Sequence, residues 1–234
     1  MGARFDAVLF DAGGVLVLPD PVAIGAAVEP FVDARPIGRF HRAHHAGLFA
    51  LESEVLHDPV TVEHLDWTIY RRAYLSSLGV VEAALDDAVE AMSRVWSALI
   101  WRFRIEDSVA ALWRLAAAGV PAGVVSNASG QIEAVLRNEG VCQVGQGAGV
   151  PVACVVDSHV VGVAKPDPRI FDGALAALGD IDPGRVAYIG DSAINDIAGA
   201  NAAGLVPLHL DPFDDYAEFE HERIRSVHDV LELV

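Results

Sequence analysis

Positive charge is scarce in this chain: sixteen lysines and arginines face thirty-three aspartates and glutamates over 234 residues, a formal net charge of -17. That balance excludes a nucleic-acid binder, because a phosphate backbone is held by basic patches. It excludes attachment to anionic membrane surfaces for the same reason. Small anions stay open, since an acidic protein binds them wherever the site supplies local cations, a metal or oriented amides. Cysteine is nearly absent. Cys142 and Cys154 are the two, and neither sits in a CxxC pair, so a zinc site is not expected. They read as reduced, partly buried thiols of a cytoplasmic protein, with a disulfide between them left open. No run approaches the roughly 20 apolar residues that span a bilayer. Asp6 and Asp11 interrupt the first apolar stretch, so it does not read as a secretion signal. There is no internal repeat and no low-complexity segment.

What is present is hydrophobic: 53% of the residues are apolar, enough for a large core with a smaller companion. The run Ala7-Val8-Leu9-Phe10 reads as a buried strand, and it ends in Asp11 followed by Ala12-Gly13-Gly14. A carboxylate there stands at the open end of a sheet, where α/β proteins bind ligands. The glycines let backbone amides approach an anion. Pro19-Asp20-Pro21 breaks the pattern, and the sequence then predicts helices over about 22–34, 37–51, 61–78 and 82–98, with no strand among them. In the third, Leu65, Ile69, Leu75 and Leu78 fall on or near one face. Four such helices predict a small bundle.

After Trp101 the character changes. Helices are predicted over 106–118, 129–139, 168–178 and 194–203, with a short last one capped by Ser226. Strands are predicted over 120–125, 152–156, 186–189 and 205–210, and 141–151 reads as a surface loop. Strand and helix in alternation predict a doubly wound α/β core with a parallel sheet and the first strand central. The expected boundaries are a Rossmann-like core over 1–18 and 102–234 and an inserted α-helical cap over 19–101.

Each core strand ends in a polar residue at the same edge. The first ends in Asp11, the next in Ser126 and Asn127, and a later one in Asp191 with Asp196 just beyond; a loop supplies Lys165. Carboxylates gathered at one spot repel unless a cation joins them, and Mg²⁺, a hard and oxygen-liganded ion, is the natural candidate. A lysine and a hydroxyl beside it complete a phosphate site.

Four segments carry a resemblance to a known family: Phe10-Asp11-Ala12-Gly13-Gly14-Val15-Leu16, Val124-Val125-Ser126-Asn127, Val163-Ala164-Lys165-Pro166-Asp167-Pro168, and Ile189-Gly190-Asp191-Ser192-Ala193-Ile194-Asn195-Asp196. In this order, each at a predicted strand end or loop, they resemble the motifs of the haloacid dehalogenase superfamily. The branch is the phosphatase-like one with a helical cap after the first motif, and the likeness spans nearly the whole chain. The resemblance implies Asp11 as the nucleophile that forms an aspartyl-phosphate. It implies Ser126, the Asn127 amide and Gly14 as phosphate binders, and Lys165 as the cation that neutralises nucleophile and phosphoryl group. It implies Mg²⁺ on Asp11, the Gly13 backbone carbonyl, Asp191 and Asp196. The implied partner is a small phosphorylated metabolite, acted on by a monomer or homodimer.

One position departs from the family's pattern. Its phosphatases usually carry a second aspartate two residues past the nucleophile, as acid and base for the leaving oxygen and the attacking water; here that residue is Gly13. Proton transfer of this kind is worth roughly 10²- to 10⁴-fold. Three consequences stay open: substrates with good leaving groups (acyl, anomeric or aryl phosphates), a proton from the cap, or a weakly active relative that binds a phosphorylated ligand or a protein. For the second, His41, His44 and His45 cluster on one predicted helix, with His57 and His64 beyond. His41 and His45 share a face at a spacing that also suits a metal, although a solvated helix face is the expectation. Metal-free dehalogenases of the superfamily resemble a pattern with tyrosine at the Gly13 position and serine-asparagine at Gly190-Asp191, and this chain has neither. The cap is expected to close over the strand ends and exclude water. Trp96 and Trp101, near the return from the cap, are expected either to line the pocket or to pack the hinge, and Arg102 and Arg104 to lie at the surface or to meet a second anionic group.

Overall fold

The computed structural model describes residues 2–33, 37–57 and 65–234. In chain order the strands are β1 (Ala7–Phe10), β2 (Val17–Pro19), β3 (Trp101–Arg104), β4 (Ala122–Ser126), β5 (Cys142–Val144), β6 (Val150–Val152), β7 (Val155–Asp157), β8 (Val186–Gly190), β9 (Val206–Leu210) and β10 (Arg223–Ile224). The α-helices are α1 (Pro21–Val28), α2 (Gly38–His57), α3 (Trp67–Leu78), α4 (Leu85–Val95), α5 (Glu106–Ala117), α6 (Ile132–Asn138), α7 (Ser158–Val161), α8 (Asp172–Leu178) and α9 (Ala198–Ala202). The chain divides into two compact units, one of Met1–Val17, Arg104–Pro212 and Phe219–Val234, the other of Leu18–Phe103 and Phe213–Glu218.

The first unit is built on a parallel six-stranded sheet in the order β10-β9-β8-β1-β4-β7. β1 lies between β8 and β4, as the sequence predicts for its first strand. It is buried on both faces, which is why its sequence is apolar without alternation. Ala7 and Leu9 face a cluster that includes Phe171, Ala174 and Ala200 from the α8 and α9 side. The register sets Phe10 opposite Val124 of β4 and Ile189 of β8. The three strands therefore finish at one level, and the residues that follow them share one edge. Gly123 explains the close fit of β4: a Cβ there would stand 2.7 Å from Cys154 Sγ and 2.8 Å from Leu9. Both cysteines are free.

Two details of the first unit's strands differ from the sequence expectation. Residues 141–151 are not simply a loop, because β5 and β6 pair in parallel within them. The buried Gln143 side chain holds the glycine-rich turn, accepting from the Gly149 amide at 2.8 Å and donating to its carbonyl at 3.0 Å. Strand candidate 152–156 is in fact two strands, β6 ending at Val152 and β7 starting at Val155.

The described part of the second unit is helical apart from the short strands β2 and β3, which pair with each other where the chain enters and leaves it. Asp20 caps α1, accepting from the Val22 amide at 2.9 Å, and Asp66 caps α3 through the Thr68 amide at 2.8 Å. Gly79 closes α3 with φ 103°, a conformation that favours glycine. α2 packs along α3, and the core of this unit holds Phe40, Leu51, Tyr70, Tyr74, Leu75 and Leu78. The first four residues of the predicted third helix lie outside the described residues. The segment 213–218 groups with the helices although it follows β9. Tyr216 donates to Glu52 at 2.7 Å, and Asp215 pairs with Arg42, contacts more than 160 positions apart that no local pattern announces.

The histidines of α2 correct the expectation of a solvated face. His44 and His45 are buried; His44 Nδ1 lies 2.9 Å from the Tyr70 hydroxyl and His45 Nε2 lies 3.3 Å from His41 Nε2. The side chain of His57, and all of His64, lie outside the described residues. Trp96 packs on Tyr70 and Trp101 on His44, as expected of packing residues. Arg102 is bound by Asp20 through two nitrogens, at 3.0 and 2.6 Å, and Arg104 by Glu106.

Candidate active site

The candidate residues gather at one edge of the sheet. Asp11 follows β1, Ser126 ends β4 with Asn127 next, and Asp191 follows β8. Asp196 lies in a single π-turn, Ala193–Ile197, between β8 and α9. Such turns carry one extra residue per turn and re-aim a side chain. Gly190 makes room for it: a Cβ there would stand 2.3 Å from the Asp196 side chain. The Ser192 amide donates to Asp196 Oδ2 at 3.0 Å and fixes the carboxylate.

Lys165 is the only lysine of the chain, and it is buried. Its Nζ lies 2.8 Å from Asp11 Oδ1 and 2.6 Å from Asp196 Oδ1, and it donates to the Tyr188 hydroxyl at 2.8 Å. Asn127, expected to offer its amide to an anion, also holds the lysine's main chain. Its Oδ1 accepts from the Lys165 amide at 2.8 Å and its Nδ2 donates to the Lys165 carbonyl at 3.0 Å. Lys165 is thus brought onto Asp11 and Asp196 by a residue at the end of a neighbouring strand.

One carboxylate oxygen each from Asp11, Asp191 and Asp196 lies within 4.8 Å of the other two. Three carboxylates against one ammonium leave two negative charges uncompensated. Burial pushes Asp11 up to about 6, with the charges of Asp196 and Asp191 adding and Lys165 opposing. Burial, and then the charge of Asp196, raise Asp191 well above the carboxylate range. Burial works against the Lys165 ammonium, but Asp11 and Asp196 outweigh it and its pKa rises. Asp11 Oδ1 is buried and, although close to Nζ, lacks a well-directed hydrogen bond. A divalent cation with oxygen ligands answers all of these, so the donor set fits Mg²⁺.

Two groups that the motifs do not mark complete the site. Tyr188, inside β8, accepts from Lys165 and lies 2.9 Å from the Val125 carbonyl and 3.0 Å from Asp196 Oδ1, so its one proton serves one of them at a time. His209 in β9 contacts the Asp191 carbonyl. A tyrosine and a histidine among strand apolars are the faint sequence signals of both. Gly14 differs from expectation. Its amide donates to the Val17 carbonyl at 2.9 Å, and its φ of 72° shows that the glycine serves the turn. Ser126 is buried at the same edge, and Gly13 is half-buried in the turn after Asp11.

The family model described as haloacid dehalogenase-like hydrolase matches residues 5–204. A glyceraldehyde 3-phosphate phosphatase of Methanopyrus kandleri is 39% identical over 87 residues, 33% of this chain and 37% of the relative. The matched segments span between 25% and 38% of the length of the curated relatives. Among solved structures, the magnesium-bound HAD-hydrolase YfnB of Bacillus subtilis superposes with a TM-score of 0.60 at 18% identity, covering 98% of each chain. The L-2-haloacid dehalogenase of Xanthobacter autotrophicus superposes with 0.54 at 19% identity, also over 98% of each. At these identities the superpositions show the fold alone.

Proposed function

The chain belongs to the haloacid dehalogenase-like hydrolase family, and from that membership we propose that it is a Mg²⁺-dependent phosphatase of a small phosphorylated metabolite that works through an aspartyl-phosphate on Asp11. The observation that carries the reading is the cluster at the sheet edge: Asp11 beside the buried Lys165, within one ion's reach of Asp191 and Asp196. The named phosphatase relative supports it. Gly190-Asp191 and the acidic trio also favour it over a metal-free dehalogenase.

A Mg²⁺ held by Asp11, the Gly13 carbonyl, Asp191 and Asp196 would screen the charge of an incoming phosphoryl group. Asp11 then attacks phosphorus. A bond forms from its carboxylate oxygen, the bond to the leaving oxygen breaks, and the electron pair departs with the leaving group. Lys165 neutralises charge on Asp11 and on the phosphoryl oxygens, and Ser126 with the Asn127 amide binds those oxygens. Water next attacks the phosphorus of the aspartyl-phosphate, the bond to Asp11 breaks with its electron pair returning to the carboxylate, and phosphate keeps one of the water's protons while the other passes to solvent. Gly13 offers no acid, so the leaving oxygen takes its proton from solvent. That favours acyl, anomeric or aryl phosphates, whose leaving groups bear charge well.

Phosphate release from a panel of acyl, anomeric, aryl and alkyl phosphates, with and without Mg²⁺, tests the reading. We expect Mg²⁺-dependent release, fastest for the best leaving groups and abolished in Asp11→Asn. No release from any member would favour a binding-only relative, and full activity in chelator would revive the metal-free alternative.

A further inference from the structure

β9 lies beside β8, with His209 in register with Gly190, the residue just before Asp191. His209 is fully buried in a unit whose edge already holds a charged cluster. Its Nε2 lies 2.8 Å from the Asp191 carbonyl oxygen. A carbonyl only accepts, so Nε2 carries the proton and donates. Nδ1 of the neutral ring is then an acceptor, and His221 Nε2 lies 2.5 Å from it, placed to donate. His221 stands just ahead of β10, and the pairing of that segment with β9, the His209 amide donating to the Glu222 carbonyl at 2.9 Å, presents it to His209. The Asp191 carbonyl thus sets the tautomer of His209, and His221 is placed to match it.

The Asp191 carbonyl belongs to the same peptide unit as the Ser192 amide, and that amide donates to Asp196 Oδ2 at 3.0 Å. One rigid plane is therefore gripped at both ends, His209 on its oxygen and the Asp196 carboxylate on its N–H. Turning the plane would break both bonds and swing the backbone from which the Asp191 side chain projects. Hydrogen bonding at the oxygen also strengthens the amide as a donor. We propose that His209, oriented by His221, is a positioning residue that sets Asp191 and Asp196 in the geometry of a divalent-cation site by locking the peptide between Asp191 and Ser192. The inference rests on the reading of Asp191 and Asp196 as Mg²⁺ ligands, a role for which groups behind the ligands commonly matter 10- to 100-fold in affinity.

The test uses His209→Leu, which removes the donor, and His209→Gln, whose side-chain N–H can reach the same carbonyl. Mg²⁺ affinity is read by calorimetry in the absence of substrate. Exchange of the Ser192 amide with deuterated solvent is read by NMR on the metal-free protein. We expect His209→Leu to weaken Mg²⁺ binding about 10- to 100-fold and to speed exchange at Ser192 by a similar factor, with His209→Gln within about threefold of the parent on both. A folded His209→Leu protein with parental exchange at Ser192 would overturn the proposal, whatever the metal does. So would parental Mg²⁺ affinity in that variant. If the parent protein bound no Mg²⁺ while Ser192 exchange still responded to His209, the lock would stand and the metal reading would fall. If His209→Leu does not fold, His209→Gln decides: loss of Mg²⁺ affinity or of Ser192 protection in a folded His209→Gln protein contradicts the proposal.

Discussion

Asp11 carries the account at the scale of single residues, and its electrostatics give a stability test. Burial, with its carboxylate neighbours adding and Lys165 opposing, pushes its carboxyl up to about 6 in the folded protein, against about 3.9 for an unfolded aspartate. The folded state therefore holds the proton more tightly. The stability this contributes is complete below about 4 and is lost as pH rises through about 6. In metal-free protein we expect Asp11→Asn, which never ionises, to raise Tm at pH 8 and to lose that advantage as the pH falls to about 4, with Mg²⁺ closing the gap by stabilising the parent. A gain independent of pH would contradict this electrostatic picture. Asp11, Asp191, Asp196 and Lys165 were legible because each ends an apolar run or sits in a short loop after one. Tyr188 and His209 were not, because their partners are reached across neighbouring strands. His44 and His45 misled for the same reason: the sequence shows polar rings on a helix, and only packing places His44 against Tyr70 and Trp101.

Elements turn those residues into a site. The shared level of β1, β4 and β8 follows from their register, and the apolar tetrad of β1 announces a central buried strand from sequence alone. The π-turn after β8 does not announce itself, since one extra residue in a helical turn leaves no mark on hydrophobic periodicity. Its fit depends on Gly190. A methyl group there would overlap Asp196, so Gly190→Ala must push the carboxylate or the turn aside. We expect that variant to keep its fold by circular dichroism while losing at least about 10-fold in Mg²⁺ affinity, since displaced ligand geometry is costly. Unchanged affinity would mean that Asp196 does not hold the ion. Strands β5 and β6 escaped the sequence because three-residue strands among glycines look like a loop, and only the buried Gln143 shows that the turn is built.

For the molecule as a whole, composition and order set the frame. The chain divides into two compact units, and 213–218 joins the helical one through Tyr216 and Asp215. The charge of -17 makes the local cations decisive: an acidic protein with a single lysine has placed it, buried, against the carboxylate proposed as nucleophile. That carboxylate is the central claim, and mass spectrometry of the acid-quenched enzyme during turnover of an acyl or aryl phosphate tests it most directly. The account predicts a phosphoryl group on the peptide that contains Asp11, removed by hydroxylamine and absent from Asp11→Asn. Steady phosphate release with that peptide unmodified, or with the phosphoryl group on another residue, would contradict it.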